Sequence, residues 1–548
     1  MNTKPIGPFL GINNRLPDYA LVTDPRTGEC FVRSADNVDV SSAGKFRRRP
    51  ATAVVQAMTD AHSLHMLTDT TGVLVRGAAL YAITLPTYTE SLLKVLSSDA
   101  PMSYAALGTC LYMSNGTDRY RLEAGVVSPM ALPTPGEPPI SLISGALLPG
   151  WYQVSTSYRV SGTPTVGEEG GTSPSNNIHI TSGTAGIRVT LPGPVAGATH
   201  VAVHLSHANG KQPYLATTVT SNTVSVDLTA LATGHEAPLR FEDILPAGEL
   251  FVSNGRLCSI TNGGDIDEDG STAGDAGQYR VNIGLPFRPG YYLVAEGYIP
   301  FPAPVTLAIE NQGGTFIAAD KTYWVPGDLG DVKDKLATVL PYGAVQGTAF
   351  EFPDRSMVGW FGAKGFVFGK TSGEVEAVMT ENVDQTPPAS GRSIVLEEEG
   401  YRRAVSCGWC VNLESKNVTT YSGWDFTSLS GGYGTKADGI YQLVAPGVVD
   451  ADIGLGKQNF GVEVVKYLPA IYLGTDSDMP MQARVLVPGG GDYTYDARRG
   501  DSAMQMQRVD TGRGLKAVWF DIHVMNQFGA DFNLSTVSPA PTATTRRI

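Results

Sequence analysis

Residues Met102–Leu122, MSYAALGTCLYMSNGTDRYRL, carry the pattern on which the fold turns. Apolar residues alternate up to Gly108, resume as a short run at Leu111–Met113, break at Asn115-Gly116 and return around the aromatic Tyr120. Half-buried and fully buried short strands joined by tight turns read this way. Four further windows repeat the order: SLHMLTDTTGVLVRGAALYAI from Ser63, LPAGELFVSNGRLCSI from Leu245, VTLAIENQGGTFIAADKTYWV from Val305 and SMVGWFGAKGFVFGKTSGEVEAV from Ser356. Asn115-Gly116, Asn254-Gly255 and Gly313-Gly314 are expected to supply the positive φ angles of tight hairpins. The starts at Ser63 and Met102 lie 39 residues apart, and those at Val305 and Ser356 lie 51 apart. Both spacings fall near the period of about 40 to 50 residues found in propeller blades. A single blade cannot bury both faces, so several have to pack in series. The expected fold class is all-β with a β-propeller core; the rival is an irregular β-sandwich whose hairpins resemble one another by chance.

Working outward, the repeat is interrupted between its second and third windows, where Pro133, Pro135, Pro138 and Pro139 mark a change of composition. From Ile140 to about Leu231, short alternating strands follow one another at sandwich spacing, including GWYQVSTSYRV, NNIHITS and NTVSVDL. The order PG-W-Y-x-V, then SPSN, then VAVHLS resembles a fibronectin type III domain, with Trp151, Tyr152 and Val154 on early strands and Val201, Val203 and Leu205 on a later one. Beyond the blades, Trp424–Asp438 reads as a Gly/Ser-rich linker or exposed loop, and Phe460–Leu473, Gln482–Val487 and Leu515–Val524 as strands of a C-terminal β-sandwich. Asp331–Val339 is one short helix candidate. The expected domains are 1–135, an N-terminal arm and first blades; 136–236, the inserted fibronectin type III-like domain; 237–438, the remaining blades; and 439–548, the C-terminal sandwich.

Composition agrees with many strands and narrows function. A chain of 548 residues is too long for one ordinary core, and its 63 Gly and 36 Pro favour turns. The net charge of −13 argues against gripping nucleic-acid backbone, which depends on Lys and Arg. It is compatible with a channel whose wall repels sliding DNA. Cys30, Cys110, Cys258, Cys407 and Cys410 are odd in number and mostly far apart, which fits no disulfide framework and points to synthesis in a reducing cytoplasm. The start, MNTKPIGPFLGINN, is not expected to act as a signal peptide, and no apolar run approaches the length of a membrane span.

Candidate chemistry is weak at each place it arises. His200, His204 and His207 invite a zinc reading, but on one strand only two of them share a face, short of the three or four protein ligands zinc takes. Cys407-Gly-Trp-Cys410 has the spacing of a redox pair but sits in blade-like strand, without the helix N-terminus that activates such a thiol. Gly365–Thr371 is one residue short of a phosphate-binding loop. Asp265, Asp267 and Asp269 with Gly270 open like a calcium loop, yet Ala276 stands where the bidentate Glu belongs; the alternative is a mobile acidic loop. No nucleophile elbow is present, and Glu397–Glu399 or Asp476 with Asp478 read as surface charge. No cofactor, resident metal or enzymatic activity is expected.

Near the N-terminus stand GINNRLPD and ADNVDVSSAGKFRRRPA, in which Asn37-Val38-Asp39-Val40 leads through a turn to Arg47-Arg48-Arg49-Pro50. This resembles the opening of tail-nozzle proteins (tail tubular protein B) and packaged-DNA stabilisation proteins of short-tailed bacteriophages, with Ala51 in place of the family's Gly. Leu285–Gly290, Ile299–Pro302 and Tyr342–Thr348 are similar to later blades of such proteins. The resemblance implies a structural subunit of a phage tail nozzle or hub, a hexamer about the tail axis, which extends the DNA channel and helps retain or gate DNA. The partners it implies are other copies of the chain, tail adaptor or connector proteins, fibre proteins, and DNA passing without sequence-specific binding. The location it implies is the virion tail, reached after assembly in the host cytoplasm without membrane insertion. Arg47, Arg48 and Arg49 then become candidate contacts to a neighbouring subunit or adaptor, against a solvated turn or direct DNA contact. Asp265, Asp267, Glu268 and Asp269 become a candidate channel-facing acidic loop. The alternative function is a tail-tip or fibre-associated protein that binds a receptor or carbohydrate through exposed aromatics such as Trp151 or Trp424.

Overall fold

Tight turns cut the chain into short strands, and those strands pair mostly with their sequence neighbours. A computed structural model describes residues 5–161, 169–238, 241–243, 248–263, 279–293, 296–330, 335–352, 355–398, 400–461, 463–477, 479–499, 501–512 and 514–543. Among them there is no α-helix and a single 3-10 turn, Asp18–Ala20, so the chain is all-β as its periodicity predicts. The helix candidate at Asp331–Val339 is overturned where it is described: Ala337–Leu340 is a strand that pairs with Thr322–Pro326. Two compact units divide the chain, one formed by 1–76, 82–90 and 342–548, the other by 77–81 and 91–341.

In the second unit, Ser103–Leu107, Cys110–Ser114, Arg119–Glu123 and Val126–Pro129 form a four-stranded antiparallel meander of the propeller-blade type. Leu307–Asn311, Gly314–Ala318, Thr322–Pro326 and Ala337–Leu340 form another. Glu249–Ser253, Arg256–Asn262, Tyr279–Asn282 and Tyr298–Phe301 form a third. Of the three expected turn pairs, only Asn254-Gly255 places both residues at positive φ, 46° and 72°, closing a two-residue hairpin between Ser253 and Arg256. The inserted sandwich packs Ile140–Leu147, Ala185–Thr190 and Ser225–Leu228 against a sheet ordered Asn176–Ile180, Gly150–Arg159, His200–Ser206, Pro213–Thr220. Its core holds Tyr152, Val154, Val201, Val203 and Leu205, five of the six residues picked out in the sequence, while Trp151 lies outside it.

The first unit carries blades of the same kind. Phe350–Glu351, Met357–Gly362, Gly365–Lys370 and Val375–Ala377 make one, so Gly365–Thr371 belongs to a blade strand and its turn rather than a phosphate loop. Ser428–Ser430, Tyr433–Lys436 and Gly439–Ala445 make another, completed by Ala51–Ala57 from the far N-terminal part of the chain. The stretch expected as a linker is therefore blade, and the expected boundary at 439 falls at the start of a blade strand.

Neighbouring blades within each unit meet through their first strands, which would otherwise be open edges. Serine hydroxyls fill the gap. Ser428 and Ser430 accept hydrogen bonds from the backbone N–H groups of Leu64 and Met66 at 2.9 Å each, and Ser103 accepts from Leu250 at 2.9 Å.

The C-terminal sandwich also belongs to the first unit. It shares a nine-stranded sheet with the blade Ser393–Glu398, Tyr401–Ser406, Trp409–Asn412 and Val418–Thr420; the sheet continues through Ser34–Asp36, Asp452–Gln458, Phe520–Met525, Gln482–Val487 and Gly491–Asp496. Opposite lies a five-stranded sheet ordered Val38–Val40, Phe46–Arg48, Asn533–Pro539, Ala470–Ser477, Asp501–Asp510. Phe9, Phe46, Ile453, Leu473, Phe520 and Leu534 fill the space between them. The N-terminal segment expected as an arm before the blades thus supplies strands to both sheets of this sandwich, because its alternating apolar residues need that second face for burial.

On the sandwich, His523 Nδ1 lies 2.8 Å from Asp452 and its Nε2 lies 3.8 Å from Asp521. The Asp452 hydrogen bond raises the His523 pKa above its ordinary 6.5, against the opposing effect of burial. A raised histidine pKa gives stabilisation that is complete below the unfolded value and disappears as pH rises through the folded one. His523→Gln is therefore expected to lower the melting temperature more at about pH 5.5 than at about pH 8.5. Differential scanning calorimetry at the two pH values checks it. At the blade closed by Ala51–Ala57, a Cβ on Gly439 would stand 2.3 Å from the Gln56 carbonyl oxygen. Gly439→Val is expected to destabilise the chain by about 1–3 kcal/mol in denaturant titrations.

Candidate functional site

The Asn-Val-Asp-Val and Arg-Arg-Arg-Pro elements turn out to be two sides of one corner. Ser34–Asp36 runs in the nine-stranded sheet and Val38–Val40 in the facing one, so the chain has to change sheets at Asn37. Asn37 does so with φ of 58°, a left-handed conformation that Asn tolerates better than most residues. Its amide is fully engaged. Nδ2 donates to Ser422 Oγ at 2.6 Å and to the Asp450 carbonyl at 2.9 Å, while Oδ1 accepts from Arg49 Nε at 2.8 Å and the Ser422 N–H at 3.1 Å.

Two residues on, Asp39 is completely buried. Tyr421 donates its hydroxyl proton to Asp39 Oδ1, and the Cys410 thiol lies 3.7 Å from the same oxygen. Arg403 Nη1 and Arg47 Nε each stand 3.6 Å from Oδ2. Both guanidinium groups also reach Glu398 at 3.4 Å, and Arg47 lies over the Tyr401 ring at 4.4 Å. Above them the Val40 carbonyl accepts from the Tyr401 hydroxyl and the Asn412 amide, both at 2.8 Å. Burial pulls the Arg403 pKa down, but Tyr421, Asp39, Cys410 and Tyr401 outweigh it and the net shift is upward, keeping the guanidinium charged. Burial pushes the Tyr421 pKa well up, so its hydroxyl stays protonated as a donor.

This placement corrects the reading of Arg47, Arg48 and Arg49 as outward contacts. Arg49 is buried, holding Asn37 and the Ser422 carbonyl; Arg47 is turned to Asp39 and Glu398; Arg48 lies 3.5 Å from Asp531 with little of its side chain exposed. Their charge closes the seam between sandwich and blade. Asp265, Asp267, Glu268 and Asp269 lie outside the described residues.

The other sequence candidates separate. Cys407 opens the turn of the hairpin Tyr401–Asn412 and Cys410 lies in its second strand; both thiols are free. Burial pushes the Cys410 pKa up to about 12 and raises that of Cys407, the opposite of what a redox thiol needs. Trp424 is buried among Tyr421, Phe426 and Leu443 and is not a surface aromatic. Trp151 is 54% exposed and stacks on His179, with ring centroids 4.6 Å apart and an interplanar angle of 12°.

His200 and His207 do not join His204. What meets His204 comes from segments the sequence gave no reason to connect: Glu169, bridged to Arg159, and His235, whose carbonyl accepts from the Leu215 N–H at 2.8 Å. His204 is fully buried, and its Nε2 stands 3.4 Å from Glu169 Oε1. His235 Nε2 lies 4.0 Å from Oε2, Arg159 lies 3.3 Å from Oε2, and Ser157 donates to Oε1 at 2.5 Å. Burial raises the Glu169 pKa, but His204, Ser157 and Arg159 together outweigh it and hold the carboxyl below its usual range.

Removing one partner of a buried ion pair costs about 3–5 kcal/mol, because it strands the other charge. Asp39→Ala is expected to show that loss in equilibrium unfolding, and Asp39→Ala with Arg403→Ala less than the sum of the two single changes.

No family model matches the chain, and no curated protein matches it. Among solved structures, AztD of Citrobacter koseri overlaps with a TM-score of 0.28 at 12% identity, over 71% of this chain and 94% of that one. An exo-beta-1,3-galactanase from Phanerochaete chrysosporium overlaps at 0.20 and 10%, over 89% and 100%. The tricorn protease overlaps at 0.20 and 9%, over 83% and 44%. Overlaps this loose carry no argument about fold or function.

Proposed function

We propose that this chain is a structural subunit of a bacteriophage tail, of the nozzle or hub type, that extends the DNA channel and helps retain or gate DNA. The observation that carries the reading is the corner at Asn37–Pro50. The residues on which the resemblance to tail-nozzle proteins rests are the ones that fasten the C-terminal sandwich to a blade, through Asn37, Asp39, Arg47 and Arg49. A subunit whose role is mechanical needs such a fastening, since a bore keeps its shape only if the parts around it do not slide. The net charge of −13 suits a wall along which phosphates pass without adhering. Exposed apolar side chains, Phe528 and Val448 in one unit and Phe287 in the other, suit contacts with further copies, adaptor or fibre proteins.

A second reading, receptor or carbohydrate binding at a tail tip, is favoured by one observation. The exposed Trp151 ring, held flat by His179, offers the kind of face on which a sugar ring stacks. Cryo-electron microscopy of particles containing the chain distinguishes the two. Copies closing around the tail axis are the expected result. A peripheral position, with glycan binding by the purified chain that Trp151→Ala abolishes, would establish the second reading in its place.

A further inference from the structure

The polar face of the inserted sandwich holds groups that its own hydrogen bonds leave unused. Both ring nitrogens of the buried His204 lack a hydrogen-bond partner, as do Arg159 Nε and Ser155 Oγ. A buried ring nitrogen without a hydrogen-bond partner is costly unless something engages it. The groups around it are metal donors. Glu169, His204 and His235 each offer one ligand atom, and these atoms lie within 4.8 Å of one another.

The spacing fits a particular geometry. Two ligand atoms at about 2.0–2.1 Å from a tetrahedral zinc ion stand roughly 3.3–3.4 Å apart. His204 Nε2 and Glu169 Oε1 stand at ion-pair distance, 3.4 Å, which matches that spacing. His235 Nε2 lies farther out, 4.0 Å from Glu169 Oε2, and its half-exposed side chain is the one that would move inward to complete the set. We propose that Glu169, His204 and His235 form a zinc site on the inserted sandwich, with the fourth position open to solvent on the His235 side.

The surroundings act as an outer shell. Ser157 donates to Oε1 and Arg159 pairs with Oε2, which fixes the carboxylate. Arg159 also repels a cation, so the site stays electrostatically weaker than one built on carboxylate alone. Two imidazoles and one carboxylate favour zinc over magnesium or calcium, which prefer all-oxygen shells. The three ligands come from separate segments, each pinned by backbone pairing: Glu169 across from Arg159, His204 in a central strand, and His235 beside Leu215. A sequence motif search cannot find such a site, because the neighbouring His200 and His207 lead away from it.

The test uses the full chain stripped of metal. Titration with zinc, followed by calorimetry, is expected to show one ion bound per chain and a rise in melting temperature. Cobalt(II) is expected to give the intense visible absorption of a four-coordinate site. His235→Ala, at an exposed side chain that leaves the fold intact, is expected to abolish both signals. Ser157→Ala is expected to weaken binding by about 10- to 100-fold, while His207→Ala changes nothing. Failure to bind zinc stoichiometrically overturns the proposal and leaves the cluster as a buried ion pair. Zinc binding that His235→Ala does not diminish overturns it as well, by placing the metal elsewhere.

Discussion

The buried carboxylate of Asp39 is the constraint around which the first unit is organised. An isolated charge without water is untenable, so the chain has to bring counter-charges to it, and both arginines that approach it come from distant sequence or a different strand. Arg47 returns on the strand hydrogen-bonded to that of Asp39, and Arg403 arrives from a blade. Satisfying one carboxylate therefore fixes the register of a hairpin and the docking of that hairpin on a blade. Asn37, two residues earlier, makes the approach possible by switching sheets in a left-handed turn whose amide no Asp or Gly could replace in both donor and acceptor roles.

The blades solve a different problem, that of edges. A meander of four strands leaves its first strand half paired, and a run of free N–H groups invites misassembly. Here the neighbouring blade supplies hydroxyls, as Ser428 and Ser430 do for Leu64 and Met66 and Ser103 does for Leu250. One face of each strand packs, while a small hydroxyl on a first strand stitches one blade to the next.

Strand content and blade spacing were legible because both follow from local periodicity. The windows at Met102, Val305 and Ser356 each correspond to consecutive strands of one sheet. What local pattern does not encode is pairing at long range. Asp36 pairs with Thr420 in parallel, and Ala51–Ala57 completes a blade whose other strands begin at Ser428, so the N-terminal arm and the supposed linker were both misplaced. Trp424 read as exposed because Gly and Ser surround it in sequence; in space it is enclosed by Tyr421 and Phe426. The Arg47–Arg49 run read as surface for the same reason, since nothing local reveals that Asp39 is buried. The cluster at His204 depends on two loops whose meeting point only the folded sandwich defines.

The blade completed by Ala51–Ala57 has a consequence for biosynthesis. Its first strand in chain order leaves the ribosome before its partners, which begin at Ser428, have been made. Ser34–Asp36 and Phe46–Arg48 wait longer still, for Asp452–Gln458 and Asn533–Pro539. During that interval the N-terminal fifty-odd residues expose unpaired strand edges and apolar side chains, while the strands from Ser103 to Leu340 of the second unit pair only with one another and are free to fold. Completion of the first unit thus waits for the synthesis of Asn533–Pro539. A chain truncated before Asn533–Pro539 would leave the five-stranded sheet of the sandwich without its middle strand, and would be exposed to proteolysis rather than available for assembly.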